Sequence, residues 1–413
     1  MAIIKPFKAI RPTRDKAALA TSRSYDEYSK KELKTQLKYN PFSFLHIIEP
    51  GYNLHQRITG KERFKMVYKT YEDFKYANIY TKDKKPCYYL HQKSFENDVF
   101  WGIIAIAHVN DYQNNIIKKH EDTLKKREEL FGNYLGITRF NAEPVLLTYP
   151  ENTILNTIYK KYSKKRSEYE FSTHTKRLHK LWIIDNDIDI ELIEKEFSKM
   201  NALYIADGHH RTASSNYLAK KYKKLNKNHT GNEGYNYFMS YLISDSNLKI
   251  SEFNRFIKDL NGLTKEDFLD KLSEFYTVKN RGQKFYKPTK KHHFNMYLDG
   301  DYYSLYLKNT NYKINNALSD LDTHIIYKTI LKPILGIKNL KTDSRIKCIP
   351  AVYNKKQLKK IVDSENYKVG FGMFPITVEQ LKAVVNENLK MPPKSTYIEP
   401  KLRSGLTIFE IND

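Results

Sequence analysis

The highest density of chemically active side chains lies at residues 207–211, which read Asp-Gly-His-His-Arg. An apolar segment, residues 203–206, precedes them, and a helical pattern follows at residues 212–223. Asp-Gly favours a tight turn, glycine lets the backbone approach a ligand closely, and the first amides of a helix attract anions. A guanidinium such as that of Arg211 can bind phosphate through two parallel hydrogen bonds. The run therefore predicts a phosphate-binding turn.

The same residue types allow two other interpretations of this turn. A surface turn whose histidines, His209 and His210, only pack against their neighbours would have the same composition. A metal site built on the two histidines is disfavoured, because adjacent residues of a helix point about 100° apart. No nearby carboxylate completes a ligand set with them.

Two further stretches carry polar side chains that suit a substrate. Glu121 precedes a predicted amphipathic helix, where a carboxylate is usually a solvated capping residue. If Glu121 faces the phosphate-binding turn, it can accept the proton of a substrate hydroxyl. Near the C-terminus, prolines keep residues 391–405 out of regular structure. Lys394, Ser395 and Thr396 in that stretch either bind a carboxylate or phosphate or belong to a solvated loop.

The elements around these stretches alternate between the periodicities of strands and helices. The longest apolar run, residues 99–109, predicts a buried strand. Other predicted strands cover residues 143–149, 202–206, 238–243, 293–298 and 302–307. Predicted helices cover residues 29–39, 63–72, 121–134, 190–200, 212–223, 265–275, 318–331 and 378–385. The pattern predicts a mixed α and β fold whose C-terminal part forms a separate unit.

Composition narrows the class of protein. The 413 residues include 14% aromatic side chains, which argues against a disordered chain. Cys87 and Cys348 are too few for a disulfide framework, and no Cys/His cluster indicates zinc. No apolar run approaches the roughly 20 residues of a membrane helix, and the N-terminus lacks a signal-peptide core. A soluble cytoplasmic protein without a membrane partner is expected.

The charge is strongly positive, with 71 Lys and Arg against 47 Asp and Glu and a formal net charge of +24. Such a balance is typical of proteins that bind nucleic acid. The lysines, however, run through the whole chain and alternate with Asn, Tyr, Glu and Asp, as at residues 220–228. That distribution favours solvated faces over a dedicated groove, so a nucleic-acid partner is disfavoured but stays open.

In their order along the chain, the three stretches resemble the motifs of the free serine kinases of the ParB/sulfiredoxin-like superfamily. Those enzymes phosphorylate L-serine to O-phospho-L-serine with ATP or ADP and magnesium. Residues 207–211 match their phosphate-binding signature. Residues 119–121, Lys-His-Glu, resemble the family's Pro-His-Glu element with Lys in place of Pro, and residues 393–396, Pro-Lys-Ser-Thr, resemble its Pro-Lys-Thr-Thr element. Nearly the whole chain also resembles a bacterial family, formerly uncharacterised, that belongs with these kinases.

The resemblance implies an α+β fold with a ParB/sulfiredoxin-like nucleotide-binding core at residues 96–230. An N-terminal α/β extension, residues 1–95, precedes the core, and a mixed α/β C-terminal domain, residues 231–413, contributes a substrate loop. The implied catalytic residues are Glu121 (the base), His209 and Arg211. The implied nucleotide-binding residues are Asp207, Gly208, His209, His210 and Arg211, with Asp207 also a ligand of Mg²⁺. The implied residues for a free amino acid are Lys394, Ser395 and Thr396.

A ParB-like, nucleotide-dependent DNA-binding or regulatory protein is the alternative, and it would explain the net charge. No helix-turn-helix segment stands out after the phosphate-binding turn. The Walker phosphate loop and the glycine loop of protein kinases are absent from the sequence. Sulfiredoxin chemistry is disfavoured, because His209 stands where that enzyme has its reactive cysteine.

Overall fold

The computed structural model describes residues 1–52, 56, 58–351 and 357–411. The strands in chain order are β1 (Ile4–Lys5), β2 (Ile10–Pro12), β3 (Tyr80–Lys82), β4 (Tyr88–Phe95), β5 (Asp98–His108), β6 (Ile117–Lys118), β7 (Phe140–Asn141), β8 (Val145–Tyr149), β9 (Tyr169–Ser172), β10 (Leu178–Ile184), β11 (Leu203–Asp207), β12 (Tyr237–Ser244), β13 (Lys249–Ser251), β14 (Phe253–Ile257), β15 (Tyr276–Gly282), β16 (His293–Leu298), β17 (Asp301–Leu307), β18 (Ile346–Pro350), β19 (Val369–Met373), β20 (Tyr397–Glu399) and β21 (Phe409–Glu410).

The helices are α1 (Ala17–Ala20), α2 (Lys30–Tyr39), α3 (Leu45–Ile48), α4 (Gly60–Tyr76), α5 (Val109–Gln113), α6 (Lys125–Thr138), α7 (Thr153–Ser163), α8 (Asp187–Ser198), α9 (His209–Leu225), α10 (Lys265–Phe275), α11 (Asp322–Ile326), α12 (Gln357–Ser364) and α13 (Val378–Asn386). A π-helical turn, Tyr327–Leu331, continues α11. No helix among the described residues is long and apolar enough to cross a membrane.

The chain divides into two compact units. Unit 1 comprises Met1–Leu248 and Pro400–Asp413, and unit 2 comprises Lys249–Glu399. These boundaries differ from the predicted ones at residues 95 and 230. The reason is strand pairing: β1 and β4, which precede residue 96, hydrogen-bond to β5, and β21 near the C-terminus returns to pair with β7.

Unit 1 is built on a mixed nine-stranded sheet with the order β6-β11-β8-β12-β5-β4-β10-β9, and β1 pairs with β5 beside β4. The pairs β6–β11 and β8–β12 are parallel, and the other neighbours in this sheet are antiparallel. The central strand β5 is buried over residues 102–108, as the continuous apolar run predicts. Apolar side chains from β4, β5, β8 and β12 pack with α7 and α8 in the main core of the unit.

Unit 2 contains a six-stranded antiparallel sheet of order β15-β17-β16-β19-β14-β18 and a separate pair, β13–β20. Its main core joins the apolar faces of α10 and α11 to side chains from β16, β17 and β19. The α+β class is therefore confirmed.

Candidate active site

Two segments that are far apart in sequence leave the sheet of unit 1 at the same edge. Strand β6 pairs in parallel with β11, with Ile117 opposite Leu203 and Lys118 opposite Tyr204. Because neighbouring parallel strands end on the same side of a sheet, residues 119–121 and 207–211 both follow the C-terminal ends of these strands. The short β6, with only two residues, therefore brings the Lys-His-Glu stretch to the Asp-Gly-His-His-Arg turn.

The two segments contact each other through histidines. The backbone N–H of His120 donates to Nε2 of His209 at 3.3 Å, and the two rings pack edge to face with centroids 4.3 Å apart. Both residues are buried. A ring nitrogen that accepts a hydrogen bond carries no proton, so the proton of a neutral His209 lies on Nδ1.

Gly208 forms the turn between β11 and α9 in a left-handed conformation, with φ of +100°. The first helical hydrogen bond runs from the N–H of Thr212 to the carbonyl of Gly208 at 3.0 Å, so the helix does not use the preceding amides. The N-cap residue, Gly208, has no side chain of its own to cap this end of α9. A Cβ on residue 208 would lie 3.0 Å from Nε of Arg211, so alanine there would combine a strained backbone angle with a tight contact to the Arg211 side chain.

Arg211 folds back onto carboxylates instead of extending away from the turn. One terminal nitrogen pairs with Oδ2 of Asp207 at 2.8 Å, and the other pairs with Oε1 of Glu143. Oε2 of Glu143 accepts hydrogen bonds from the hydroxyls of Ser24 and Ser404, both at 3.4 Å. Arg211 therefore ties the turn to the start of β8, and its guanidinium is engaged by two carboxylates.

Asp207 is held between two cations. Its Oδ1 lies 3.2 Å from the Nζ of Lys401, and its Oδ2 pairs with Arg211. Burial alone would raise the pKa of the Asp207 carboxyl, but Lys401 and Arg211 outweigh it and lower that pKa to about 2. Asp207 is therefore a stable carboxylate at neutral pH.

The residues at this turn do not fit a magnesium ion in the observed arrangement. Both oxygens of Asp207 bind cationic side chains, whereas Mg²⁺ needs accessible oxygen ligands in near-octahedral geometry. Within residues 1–52, 56, 58–351 and 357–411, no three His, Cys, Asp or Glu side chains form a group that could hold a metal. Asp207 as a magnesium ligand stays a prediction.

The position of Glu121 differs from the predicted one. The helix expected over residues 121–134 is α6, which begins only at Lys125, and Glu121 lies half-buried in the preceding bend. It follows His120 directly and therefore lies beside the contact between His120 and His209.

The third predicted stretch belongs to unit 2. The hydroxyl of Ser395 donates to the carbonyl of Pro392 at 2.7 Å, its oxygen lies 3.1 Å from Oγ1 of Thr323, and Ser395 is buried. Its side chain therefore stabilises the loop. Lys394 has a positive φ of 55° and is exposed, and Thr396 is half-buried.

The sequence predicts site roles for residues 207–211 and Glu121, but it gives no signal for the ion pairs of Glu143 and Lys401. Glu143 begins the predicted strand at residues 143–149, and Lys401 follows the Pro-Lys-Ser-Thr stretch. Neither position carries a local signal for an ion pair, because the partners Arg211 and Asp207 are 68 and 194 residues away.

The chain was compared with curated proteins, solved structures and protein families. No curated protein matches the sequence. Among solved structures, SbnI with a C-terminal truncation from Staphylococcus aureus has a TM-score of 0.38 at 12% identity, covering 73% of this chain and 87% of SbnI. A mutant of a free serine kinase in complex with ADP has a TM-score of 0.38 at 13% identity, covering 73% and 92%. A conserved hypothetical protein from Pyrococcus furiosus has a TM-score of 0.35 at 13% identity, covering 73% and 95%.

At such TM-scores, structural likeness establishes neither the detailed fold nor the activity of this chain. The family comparison is stronger, because it covers most of the sequence: residues 4–324 match the family described as "Protein of unknown function (DUF1015)". The chain belongs to that family.

Proposed function

We propose that this protein is a nucleotide-dependent kinase that phosphorylates free L-serine to O-phospho-L-serine on a ParB/sulfiredoxin-like core. The observation that carries the proposal is the contact between His120 and His209, because it joins two of the three motifs that resemble the free serine kinases. The parallel pair β6–β11 ends beside this contact, so the two motifs lie at one edge of the sheet.

The phosphates of ATP or ADP bind, in this proposal, at the first turn of α9. The helix has 17 residues, and its N-cap residue is Gly208, which has no side chain to cap the first amides. Amides and the positive end of the helix dipole favour an anion there. Nδ1 of His209 is the protonated ring nitrogen and can donate to a phosphate oxygen. Arg211 contributes positive charge but must share it with Glu143 and Asp207.

Glu121 is the proposed general base. The serine hydroxyl oxygen forms a bond to the terminal phosphorus, the bond from that phosphorus to the oxygen of the nucleotide leaving group breaks, and the hydroxyl proton passes to the carboxylate of Glu121. Phosphoryl transfer depends mainly on positioning and charge neutralisation, so a base beside the phosphate-binding turn suits this reaction.

Lys394 and Thr396 are the proposed ligands of the serine carboxylate, by resemblance to the Pro-Lys-Thr-Thr element. An exposed ammonium and a half-buried hydroxyl can both bind a carboxylate. Ser395 is assigned to the support of the loop, because its hydroxyl already bonds to Pro392 and Thr323.

The proposal is tested by incubating the purified protein with ATP or ADP, with and without added Mg²⁺, and with a panel of free hydroxy amino acids. Mass spectrometry of the products should detect phosphoserine with at least one donor and little product from threonine or homoserine. Reactions without a nucleotide, or with heat-inactivated protein, are the controls. If neither donor yields a phosphorylated amino acid, the proposed function is wrong.

A further inference from the structure

Unit 1 carries a second concentration of charge, which we call the basic cluster and define as Arg23, Lys93, Arg177, Lys401 and Arg403. Lys93, on β4, lies on one face of the nine-stranded sheet. In the antiparallel pair β4–β10, Lys93 lies directly opposite His179. His91 is two residues before Lys93 and packs on His179 with ring centroids 5.3 Å apart, so these side chains share a face.

The C-terminal segment of unit 1 covers this face. Lys93 is 3% exposed and donates from Nζ to the carbonyl of Lys401 at 3.0 Å. The ring of Phe171, stacked on His179, lies 5.9 Å from the guanidinium of Arg403. The C-terminal segment is therefore held against the sheet with its cations close to Lys93.

A backbone bridge between Ser22 and Ser404 joins the C-terminal segment to the segment that carries Arg23. Nε of Arg403 donates to Oγ1 of Thr21 at 2.6 Å, and its guanidinium also donates to the carbonyl of Thr21. Burial lowers the pKa of the His179 ring, and Arg177, two residues before it, lowers that pKa further together with Arg403 and Lys93. Basic side chains from four separate parts of the chain therefore lie next to one another.

Several of these cations hydrogen-bond to neutral groups. Within the part of the chain that the structure describes, the Arg403 side chain donates to Thr21, and the Arg177 side chain donates to the hydroxyl of Thr175 at 2.9 Å. Nε of Arg23 is buried and has no hydrogen-bond partner among the described residues, although its guanidinium pairs with Glu32 at 2.9 Å. Guanidinium groups that donate mainly to neutral oxygens keep positive charge with which to bind the oxygens of a phosphate.

The balance of charge favours a polyanion over a single carboxylate. Lys401 is paired with Asp207, but Arg177 and Arg403 add charges whose hydrogen bonds go to neutral oxygens. The carboxyl of Glu27 is nearby, and burial raises its pKa, although Lys401 and Lys93 act to lower it. Burial also lowers the pKa of Arg403 to about 10, which indicates that its charge is incompletely compensated.

We propose that the basic cluster is a binding site for the phosphate chain of a di- or triphosphate. Lys401 links the cluster to the phosphate-binding turn, because its Nζ lies 3.2 Å from Asp207. The identification of that chain as part of the donor nucleotide rests on the proposed function, whereas the affinity for a condensed phosphate follows from the cluster alone.

Isothermal titration calorimetry with inorganic pyrophosphate and tripolyphosphate tests this site without a nucleotide or an amino acid. The variants are Arg177→Gln and Arg403→Gln. Arg281→Gln in unit 2 is the matched control, because the Arg281 side chain also hydrogen-bonds to hydroxyls, those of Ser304 and Tyr306. Hydrogen bonds to charged groups are strong enough that each cluster variant should bind tripolyphosphate about tenfold more weakly, with the control unchanged.

Arg403→Gln also removes hydrogen bonds to Thr21 and can disturb folding. If the melting temperature of Arg403→Gln falls, the affinity of Arg177→Gln is the result that tests the site. The site is refuted if the wild type binds neither condensed phosphate, or if Arg177→Gln binds as tightly as Arg281→Gln. Loss of affinity in the cluster variants, in a protein that makes no phosphoserine, would support the site and refute the kinase. Phosphoserine formation with unchanged tripolyphosphate affinity in all variants would support the kinase and refute the site.

Discussion

The N–H of His120 donates to Nε2 of His209, and the two imidazoles meet edge to face. This hydrogen bond fixes the tautomer of His209 and directs its Nδ1–H away from His120. It also fixes the backbone immediately before Glu121. A single contact therefore positions both a donor at the proposed phosphate-binding turn and the proposed general base.

Replacement of Glu121 by Gln should lower turnover by about 10²- to 10⁴-fold, because a positioned general base contributes that much. The amide keeps the size of the side chain but cannot take the proton of the serine hydroxyl. The affinity for ADP, measured by calorimetry, should stay close to that of the wild type. Glu129→Gln, on the exposed side of α6, is the control. Wild-type turnover in Glu121→Gln would remove Glu121 from the mechanism.

Replacement of Gly208 by Ala should destabilise unit 1 and weaken nucleotide binding. A φ of +100° costs an L-residue about 1–2 kcal/mol, and the new Cβ would lie 3.0 Å from Nε of Arg211. Gly231→Ala separates the effect of the backbone angle from that of the contact with Arg211. Gly231 has a φ of +93°, and no heavy atom is found within 4 Å of its Cβ position among the described residues.

Both alanine variants should lower the midpoint of thermal unfolding, and Gly208→Ala should lower it further. Only Gly208→Ala should weaken ADP binding, since its Cβ displaces the guanidinium of Arg211 at the turn. Equal unfolding midpoints and equal ADP affinities in the two variants would contradict the role given to the close approach.

The local elements of this fold were largely predictable, because their patterns are regular. The apolar run at residues 99–109 corresponds to β5 (Asp98–His108), and the helix predicted at residues 265–275 coincides with α10. The turn at residues 207–211 was also predictable, since Asp-Gly between an apolar strand and a helix has a strong local signal.

Contacts between distant segments were not predictable from one sequence. Strand β6 has two residues and no periodicity, yet its pairing with β11 brings His120 to His209. Lys401 has no distinctive neighbours, and only the return of the C-terminal segment to unit 1 places it on Asp207. Long-range strand pairing also explains why the unit boundaries differ from the predicted ones at residues 95 and 230.

The buried pair His91 and His179 should make unit 1 sensitive to acid. Nε2 of His91 lies 3.1 Å from Nδ1 of His179, and burial lowers the pKa of His91 from 6.5 to about 3 and that of His179 well below its usual value. The unfolded chain therefore binds more protons between pH 6.5 and 3. Stability should fall as the pH drops through this range, by about 1.4 kcal/mol per pH unit for each histidine.

Denaturant unfolding of His91→Gln at pH 7, 6 and 5 measures this effect. The variant should lose less stability than the wild type between pH 6 and 5, even if it is less stable at pH 7. His174→Gln removes an exposed imidazole and should follow the wild type. Parallel pH profiles for wild type and His91→Gln would show that His91 is not buried as a neutral ring.

Asp322 should have the opposite effect on unit 2. Its Oδ1 accepts the N–H of His292 at 2.8 Å, while Oδ2 is buried without a hydrogen bond to any described residue. Burial raises the pKa of the Asp322 carboxyl to about 7, against the lowering effect of backbone donors at His292 and Phe374. The folded state therefore holds a proton that the unfolded state releases above its pKa of 3.8. The stability that this proton contributes is fully present below pH 3.8 and is lost as the pH rises towards 7.

Asp322→Asn removes the titration but keeps an oxygen that can accept the N–H of His292. Relative to the wild type, the variant should gain about 1.4 kcal/mol of stability per pH unit between pH 4.5 and 6.5, and the difference should level off above pH 7. Hydrogen exchange of the amides in β16 and α11, measured at pH 4.5, 5.5 and 6.5, follows unit 2 within the full chain. Asp299→Asn removes a carboxylate whose side chain is 62% exposed and should show no such trend. A difference between Asp322→Asn and wild type that does not change with pH would mean that the Asp322 carboxyl is already ionised at pH 4.5.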